Sequence, residues 1–478
     1  MIMNKYICAS LAFMSAYTCF AAGNTVAKKQ PNIIFFLVDD MGWMDIGANG
    51  SSFYETPNID KLASEGVRFV RSYTAPVSSP SRASIFTGRN SARVGITQYI
   101  GGSGNPDYVR NLPLEEVCFP EVLKEKGYTN IFLGKWHLNN KQGENKFWPD
   151  KQGFDINLGG HWRGGLYIPN NYFSPWNLPN LENGPDGEYM TDRLANEAVN
   201  FIDTIGNKPF MMFFSFYSVH APFNAPKELV HKYEEKAKKL NYNENERFDT
   251  FVDNGRVIKY RRRQDHPVYA AMVESVDRSV GKVIEKLRVE GLEGETIIIF
   301  SSDNGGLSTS EGTPTSNYPL KAGKGWLYEG GIRVPTIVKW PGVSKSGFVS
   351  EVPITCMDFY PTILEMANIK IPHNTCVDGV SIVPLLKGSK KPLHKDMFFH
   401  YPHHSNQKGL PSSAIVRGDY KLIVRFEDGK KELYNLKEDV SEENNIYHKN
   451  KMTDDMYKTL KKWWKEVDAK FPKNSVID

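Results

Sequence analysis

The chain contains four short, uninterrupted apolar runs, at residues 32–38, 129–133, 210–216 and 296–300. Runs of strand length without alternation of apolar and polar positions are typical of strands that are covered on both faces, as in a parallel sheet. Each run is followed by polar residues. We therefore predict four buried strands.

Amphipathic stretches with a helical period lie between these runs, at residues 57–65, 188–205 and 267–290, and Gly291 follows the last as a helix-terminating residue. Strands that alternate with helices predict an α/β domain with a large mixed, mainly parallel sheet sandwiched by helices. The polar stretch 227–264 is expected to be a surface excursion, with Arg261, Arg262 and Arg263 on a solvated face.

The pattern changes after about residue 370. Residues 414–426 and 431–436 predict short antiparallel strands around a turn at 427–430, and the amphipathic stretch 456–469 predicts a closing helix. A chain of 478 residues also exceeds what one core normally organises. We predict a catalytic domain over residues 30–370 and a smaller C-terminal α+β domain with an antiparallel sheet over residues 371–478.

The N-terminus has the layout of a secretory signal peptide over residues 1–22, with Lys5, an apolar run at 7–20 and two small residues, Ala21 and Ala22. Lipid attachment at Cys19 is the alternative, although the preceding residues lack the Leu or Val of a lipoprotein signal. We expect a secreted or periplasmic protein without a transmembrane segment, since no later segment approaches 18 uninterrupted apolar residues.

Composition narrows the class of protein further. Apolar residues make up 40% of the chain and charged residues 24%, which excludes a disordered chain, and the net charge of +4 is too small to indicate a nucleic-acid partner. Outside the signal region the cysteines are Cys118, Cys356 and Cys376, which are expected to be buried thiols with at most one disulfide, because no C-x-x-C spacing occurs.

Charged, amide and imidazole side chains follow all four predicted strands. In a parallel sheet the carboxyl ends of the strands meet at one edge, where ligands bind. The side chains expected at or just beyond that edge are Asp39, Asp40, Lys135, His137, His220, Asp303 and Asn304.

A second candidate feature is the segment SSPSRASIFTG at residues 78–88. Ser79 is a good N-cap and Pro80 suits a first helical turn, so Ser78 is expected immediately before a helix N-terminus, with Arg82 one turn further on. Unpaired backbone N–H groups and the helix dipole make this position suitable for a sulfate or phosphate group.

This segment matches the signature C/S-x-P-S-R-x-x-x-x-T-G of the type I sulfatases, which belong to the alkaline-phosphatase-like superfamily. Further fragments resemble that family in its order along residues 32–335, and the C-terminal part agrees only in general character. These fragments are NIIFFLVDDMGWMDIG, TPNIDKLASEGVRF, LGKWHL, VHAPF, SSDNGG and KAGKGWLYEGGIRVP.

The resemblance implies that Ser78 is oxidised to formylglycine (3-oxoalanine) by a serine-type sulfatase-maturing enzyme. One oxygen of the aldehyde hydrate would attack sulfur and the other would expel sulfate. The sequence leaves open whether Ser78 is the natural residue or an inactivating substitution. The resemblance also implies a metal site formed by residue 78 with Asp39, Asp40, Asp303 and Asn304. These oxygen ligands favour Ca²⁺.

Other roles are likewise implied by the resemblance. Lys135 would hold the hydrate, and His137 would take its proton as sulfate leaves. Arg82 would anchor the hydrate. His220 and Lys324 would contact the sulfate ester from the other side, with His220 as the better candidate to protonate the leaving alcohol.

The substrate is expected to be a sulfated carbohydrate, cleaved by exo action on galactose or N-acetylgalactosamine. The loop residues His161, Trp162 and Arg163 suit sugar stacking and hydrogen bonding, and His403 and His404 form a second candidate cluster. Two alternatives stay open at this point. One is a formylglycine-dependent phosphonate or phosphate monoester hydrolase, and the other is a non-catalytic glycan-binding homologue.

Overall fold

The computed structural model describes residues 30–167, 172–240, 243–449 and 451–477. The predicted signal peptide lies outside these residues. Fifteen strands occur in the described part of the chain: β1 Asn32–Val38, β2 Val67–Tyr73, β3 Thr129–Gly134, β4 Ile156–Leu158, β5 Phe210–Ser215, β6 Phe248–Asp253, β7 Arg256–Arg261, β8 Thr296–Ser302, β9 Arg333–Lys339, β10 Phe348–Ser350, β11 Ile354–Thr355, β12 Met397–Tyr401, β13 Ser412–Arg417, β14 Tyr420–Arg425 and β15 Lys431–Asn435.

Eleven α-helices accompany the strands in the same described ranges. They are α1 Pro57–Glu65, α2 Ser78–Thr87, α3 Ser91–Val94, α4 Phe119–Glu125, α5 Met190–Thr204, α6 Lys227–Lys239, α7 Pro267–Val289, α8 Glu329–Ile332, α9 Phe359–Met366, α10 Val383–Leu386 and α11 Met452–Glu466.

The large sheet has nine strands in the order β10-β2-β9-β8-β1-β5-β3-β4, and β11 pairs with β2 beside β10. The four predicted strands are adjacent at its centre and run parallel. Strand β9 is antiparallel to both β8 and β2. The prediction of a large mixed, mainly parallel sheet is confirmed.

Both faces of the central strands are buried, which explains their continuous apolar sequence. In β1, Ile34 and Phe36 belong to a core packed under α1, α5, α6 and α7. Ile33 and Phe35 face the opposite way and belong to the core under α2, α4 and α9. The sheet therefore lies between two helical layers, as predicted.

The C-terminal part contains a four-stranded antiparallel sheet, in the order β12-β13-β14-β15. Alternate residues of β13 and β14 pack against α11, which closes this part of the chain as predicted. The stretch 414–426 is not one strand, because the chain reverses at Gly418, where φ is 58°. Strand β12 was not predicted. The domain boundary near residue 370 stays a prediction.

The stretch 227–264 is more regular than predicted. It contains α6 and the hairpin β6–β7. The prediction that Arg261 lies on a solvated face is wrong, because its side chain is buried and forms an ion pair with Asp265. A buried guanidinium needs such a partner, whereas Arg262 is exposed.

Two further expectations concern membranes and cysteines. Within the described residues, none of the helices combines the length and apolar character needed to cross a bilayer. Cys118, Cys356 and Cys376 are unpaired, and the first two are buried as expected. The expectation that Cys376 is buried is wrong, because its side chain is exposed.

A buried ion triad connects the C-terminal sheet to the rest of the chain. Lys421 of β14 lies 2.9 Å from Glu329 of α8 and 2.6 Å from Glu442, and all three side chains are inaccessible to solvent. Glu329 also lies 3.3 Å from Arg333. Loss of the Lys421 charge would therefore leave Glu442 without an ion-pair partner among the described residues and Glu329 with Arg333 alone.

We expect Lys421→Met to lower the free energy of unfolding by about 3–5 kcal/mol, because the buried Glu442 loses its counter-charge and the buried Glu329 keeps only Arg333. Urea unfolding at pH 7 measures the difference. The control is Lys61→Met, which removes an exposed ion pair with Glu65 and should cost less than about 1 kcal/mol. Equal effects of the two substitutions would contradict the prediction.

Candidate active site

The carboxyl ends of the central strands bring the predicted residues together. Asp39 and Asp40 follow β1, and Asp303 and Asn304 follow β8, whose last residue, Ser302, is paired with Val38 of β1. All four side chains are fully buried. Strands β5 and β3 lie on the other side of β1 and lead to His220, Lys135 and His137.

Ser78 lies at the centre of this acidic group. Its Oγ is 3.1 Å from Oδ1 of Asp39, 3.3 Å from Oδ1 of Asn304 and 3.5 Å from Nζ of Lys135. Ser78 is the first residue of α2, and its backbone N–H is one of the groups that a helix leaves without an intrahelical partner.

The prediction that Ser79 caps this helix is wrong. Val77 is the N-cap residue, and the helix begins two residues earlier than expected. The Ser79 hydroxyl is engaged elsewhere, because it donates to the carbonyl of His137 over 2.8 Å and accepts from the N–H of Ile100 over 3.0 Å. Ser79 thus joins two segments that border the site.

Arg82 is buried one turn along α2 and links that helix to three strand ends. Its Nε donates to Oδ2 of Asp303 over 2.9 Å, and Nη1 donates to the carbonyl of Lys135 over 2.7 Å and to Oγ of Ser215 over 2.6 Å. Arg82 does not contact Ser78 in these bonds. Its contacts instead fix the elements that surround Ser78.

Lys135 and His137 reach the site from the end of β3. Lys135 Nζ donates to Oδ2 of Asp39 over 2.5 Å. The backbone turns at His137, where φ is 54° in the left-handed region. This turn, which is unfavourable for a residue with a side chain, points the His137 ring into the cavity described below.

The hydrogen bonds of His137 define its proton-accepting atom. Burial and the neighbouring Lys135 ammonium lower the pKa of the ring well below its usual range, so the ring is neutral at pH 7. Nε2 lies 3.0 Å from the carbonyl of Ile100 and must donate to it. Nδ1 is then unprotonated, and it is buried without a partner among the described residues.

His220 and Lys324 lie on the other side of the acidic group. Lys324 Nζ donates to Oδ2 of Asp40 over 2.7 Å, and Nε2 of His220 is 3.8 Å from the same oxygen. Lys324 lies in a tightly packed loop, because a Cβ atom on Gly323 would come within 2.3 Å of the carbonyl oxygen of Gly306.

The buried carboxylates and the neighbouring cations shift one another's pKa values. Burial, reinforced by Asp303 and Asp40, raises the pKa of Asp39 to about 8 despite the adjacent Lys135. Burial also acts to raise the pKa of Asp40, but Lys324, His220 and Lys135 together outweigh it and lower that pKa to about 2. The positive charge around Asp39 is therefore too small to stabilise its ionised form fully.

The donor set fits a hard cation. The single hydroxyl hydrogen of Ser78 faces two acceptors, Oδ1 of Asp39 and Oδ1 of Asn304, and can satisfy only one of them. Oδ1 of Asp303 accepts the backbone N–H of Asp40 over 3.2 Å, which places the Asp303 carboxylate beside Asp40. Ligand atoms of Asp39, Asp40 and His220 also lie within 4.8 Å of one another.

A cavity of about 420 Å³ opens above Ser78. Of the predicted residues, Ser78, His137, His220, Lys324 and Trp162 line it. Sequence reasoning missed the rest of its wall, which comes from loops without a distinctive local pattern: Tyr99, Ile100, Gly101, Arg110, Asn140, Lys141, Gln142, Gly164, Tyr167, Glu311, Asn406 and Gln407.

The other predicted substrate-binding residues do not line this cavity. His161 is buried and accepts the backbone N–H of Arg163 over 2.9 Å, so it orders the loop that carries Trp162. Arg163 lines an adjoining groove. His403 is buried 2.9 Å from the hydroxyl of Thr97, and His404 pairs with Glu427 at the surface. His403 and His404 therefore make these other contacts and do not form part of the cavity wall.

The fold and the strand-end site together define an enzyme of the alkaline-phosphatase-like superfamily. The model of the Sulfatase family matches residues 31–369, and that of the N-sulphoglucosamine sulphohydrolase C-terminal region matches residues 322–470. The chain therefore belongs to the sulfatase family and is a sulfuric ester hydrolase.

Individual relatives agree with this assignment. N-acetylgalactosamine-6-sulfatase of Mus musculus is 32% identical over 86% of this chain and 74% of the relative. A sulfatase of Formosa agariphila is 30% identical over 89% of this chain and 86% of the relative. The crystal structure of Ps i-CgsB in complex with k-i-k-neocarrahexaose is 29% identical, with a TM-score of 0.75, and covers 91% of this chain and 93% of its own.

Gly164 packs directly against His137, and a Cβ atom there would lie 2.5 Å from Cε1 of the imidazole. We expect Gly164→Ala to displace the ring and lower kcat for an aryl sulfate by about tenfold to a hundredfold. Gly294→Ala is the control, because a Cβ atom at that position meets no atom within 4 Å. Steady-state kinetics with 4-nitrophenyl sulfate measures the effect, and an unchanged kcat for Gly164→Ala would contradict this account of the loop.

Proposed function

We propose that this protein is a carbohydrate sulfatase that removes a sulfate ester from a galactose-type residue of a glycan through formylglycine made from Ser78. The observation that carries the proposal is the position of Ser78. Its Oγ lies within hydrogen-bonding distance of Asp39 and Asn304 at the base of a cavity lined by His137, His220 and Lys324.

Oxidation of Ser78 to formylglycine would supply an aldehyde hydrate with two oxygens, one to attack sulfur and one to release sulfate. The residues around position 78 are suited to hold such a group. Lys135 Nζ lies 3.5 Å from Ser78 Oγ and also bonds Asp39, so it can donate to an oxygen at residue 78. Arg82 positions the strand ends around it.

Asp39, Asp40, Asp303 and Asn304 would hold the metal ion together with residue 78. Their oxygen atoms suit Ca²⁺, which tolerates irregular coordination. A bound divalent cation would polarise the oxygen at residue 78 and offset the charge of the sulfate group. It would also satisfy the second acceptor that the Ser78 hydroxyl leaves unpaired.

Proton transfer is assigned to the two imidazoles. His137 lines the same cavity as residue 78, and its unprotonated Nδ1 can take a proton from an oxygen of that residue. His220 has Nδ1 2.5 Å from the carbonyl of Ala221, which leaves Nε2 facing Asp40 and the substrate space. Lys324 supplies a fixed positive charge beside His220 for the sulfate oxygens.

A sugar substrate is supported by the cavity wall and by the relatives. Tyr99, Tyr167 and Trp162 provide aromatic surfaces suited to sugar rings, and Glu311 and Gln407 provide hydrogen-bonding groups. One relative is named for N-acetylgalactosamine 6-sulfate, and the Ps i-CgsB complex contains k-i-k-neocarrahexaose. The first name supports a galactose-type residue, and the second supports an oligosaccharide substrate.

We further propose export through the N-terminal signal peptide and activation by a serine-type maturing enzyme. The apolar run at residues 7–20 supports export. A hydroxyl at position 78 in an otherwise complete signature supports a maturing enzyme that oxidises serine.

The first test combines mass and turnover. Protein produced with a serine-type maturing enzyme should lose two hydrogen atoms at Ser78, as seen by mass spectrometry of the peptide containing residues 78–82. It should hydrolyse 4-nitrophenyl sulfate faster than 4-nitrophenyl phosphate. Ser78→Ala is the matched control without the oxidisable group. Turnover by protein with unmodified Ser78 would refute the proposed chemistry, and preferred phosphate hydrolysis would favour a phosphoester hydrolase.

The second test concerns the metal ion. Calcium at a hundredfold excess over its dissociation constant should stabilise the folded chain by about 2.7 kcal/mol. Asp303→Asn should lose this stabilisation, because it removes a ligand charge at the buried site. The control Asp249→Asn changes an exposed carboxylate that pairs with Arg262. Thermal unfolding with and without CaCl2 measures the effect, and an equal calcium response in both variants would exclude this site.

A further inference from the structure

A second, shallower groove adjoins the catalytic cavity. Trp162 and Lys141 line both spaces, so the two adjoin at these side chains. The groove has a volume of about 550 Å³. Its remaining lining residues are Arg163, Asn177, Leu178, Pro179, Leu181, Glu182 and Asn183.

The outer wall of the groove is held in place by local hydrogen bonds. Asn183 Nδ2 donates to Oδ1 of Asn177 over 2.8 Å, and Asn183 Oδ1 accepts the backbone N–H of Asn177 over 2.9 Å. Asn180 Nδ2 donates to the carbonyl of Gly160 over 3.0 Å, which joins this wall to the loop that carries Trp162. The groove is therefore preformed.

Positive charge is concentrated where the groove meets the cavity. Lys141 Nζ lies 5.7 Å and Arg163 Cζ lies 5.6 Å from the centroid of the Trp162 ring. Neither cation has a carboxylate partner in the part of the chain that the structure describes. An aromatic ring next to two available cations suits a sugar that carries an anionic group, because the ring can pack against C–H groups while the cations bind the anion.

We propose that this groove binds the sugar residue next to the one whose sulfate ester occupies the catalytic cavity, and that Arg163 and Lys141 recognise an anionic group on this neighbouring sugar. The inference rests on the proposed carbohydrate sulfatase function. Continuity with the cavity across Trp162 places adjacent units of one chain in the two spaces. Leu178 and Pro179 add apolar surface for the sugar ring.

The kinetic test uses Arg163→Ala, because Arg163 lines the groove and not the cavity. The substrates are 4-nitrophenyl sulfate and two anionic hexasaccharides, one from chondroitin 6-sulfate and one from carrageenan. The ratio of kcat/KM for the better hexasaccharide to that for the aryl sulfate should fall about tenfold, mainly through KM, because a charge-assisted contact is lost.

The matched control is Lys146→Ala, which removes an exposed positive charge from the same 3₁₀ segment as Lys141 without touching either space. It should leave the ratio unchanged, and Arg163→Lys should recover part of the loss. An unchanged ratio in Arg163→Ala would overturn the proposal.

A binding measurement separates this inference from the proposed function. Isothermal titration of calcium-equilibrated protein should show tighter binding of a hexasaccharide than of N-acetylgalactosamine 6-sulfate, and weaker hexasaccharide binding by Arg163→Ala. Loss of affinity in that variant without turnover of any sulfate ester would overturn the proposed function and leave the groove assignment intact. If neither hexasaccharide binds more tightly than the monosaccharide, the groove assignment is wrong.

Discussion

The buried ion pair between Arg82 and Asp303 is the contact on which the rest of the centre depends. It joins the helix that begins at Ser78 to the end of β8, and the same guanidinium bonds the carbonyl of Lys135 and the hydroxyl of Ser215. One side chain therefore sets the relative positions of α2, β8, β3 and β5. Burying these charges is unfavourable unless every partner is in place. The geometry at the carboxyl ends of the central strands is therefore strongly constrained.

The positions of the other charged groups in the site follow from that arrangement. With the strand ends fixed, Lys135 faces Asp39 and Lys324 faces Asp40, and the Ser78 hydroxyl is left between more acceptors than it can satisfy. Such groups need little reorganisation when an ester binds, because the fold already holds them in a site with little water. The same constraint explains the left-handed backbone at Asp40 and His137, which the surrounding bonds hold in place.

The sequence was most informative where one physical requirement acted over several consecutive residues. Strands covered on both faces must be apolar throughout, so β1, β3, β5 and β8 and the polar residues after them could be predicted. Strand β2 was missed because it alternates apolar and charged residues and has an irregular register after Phe69. The bonds of Ser79 depend on the distant residues His137 and Ile100 and have no local pattern. Arg261 pairs with Asp265, which is only four residues away, but its burial depends on the tertiary fold.

The wall of the cavity above Ser78 was the least predictable part of the site for the same reason. Tyr99, Tyr167, Glu311 and Gln407 come from separate loops, and only the tertiary fold brings them to one cavity. Residues at the ends of packed strands are held by the core, whereas these loops can change without disturbing the sheet. In the proposed function, ester hydrolysis is therefore assigned to the sheet edge, and the choice of sugar to the loops. Trp162 lies where the two meet, since it borders both the cavity above Ser78 and the groove beyond it.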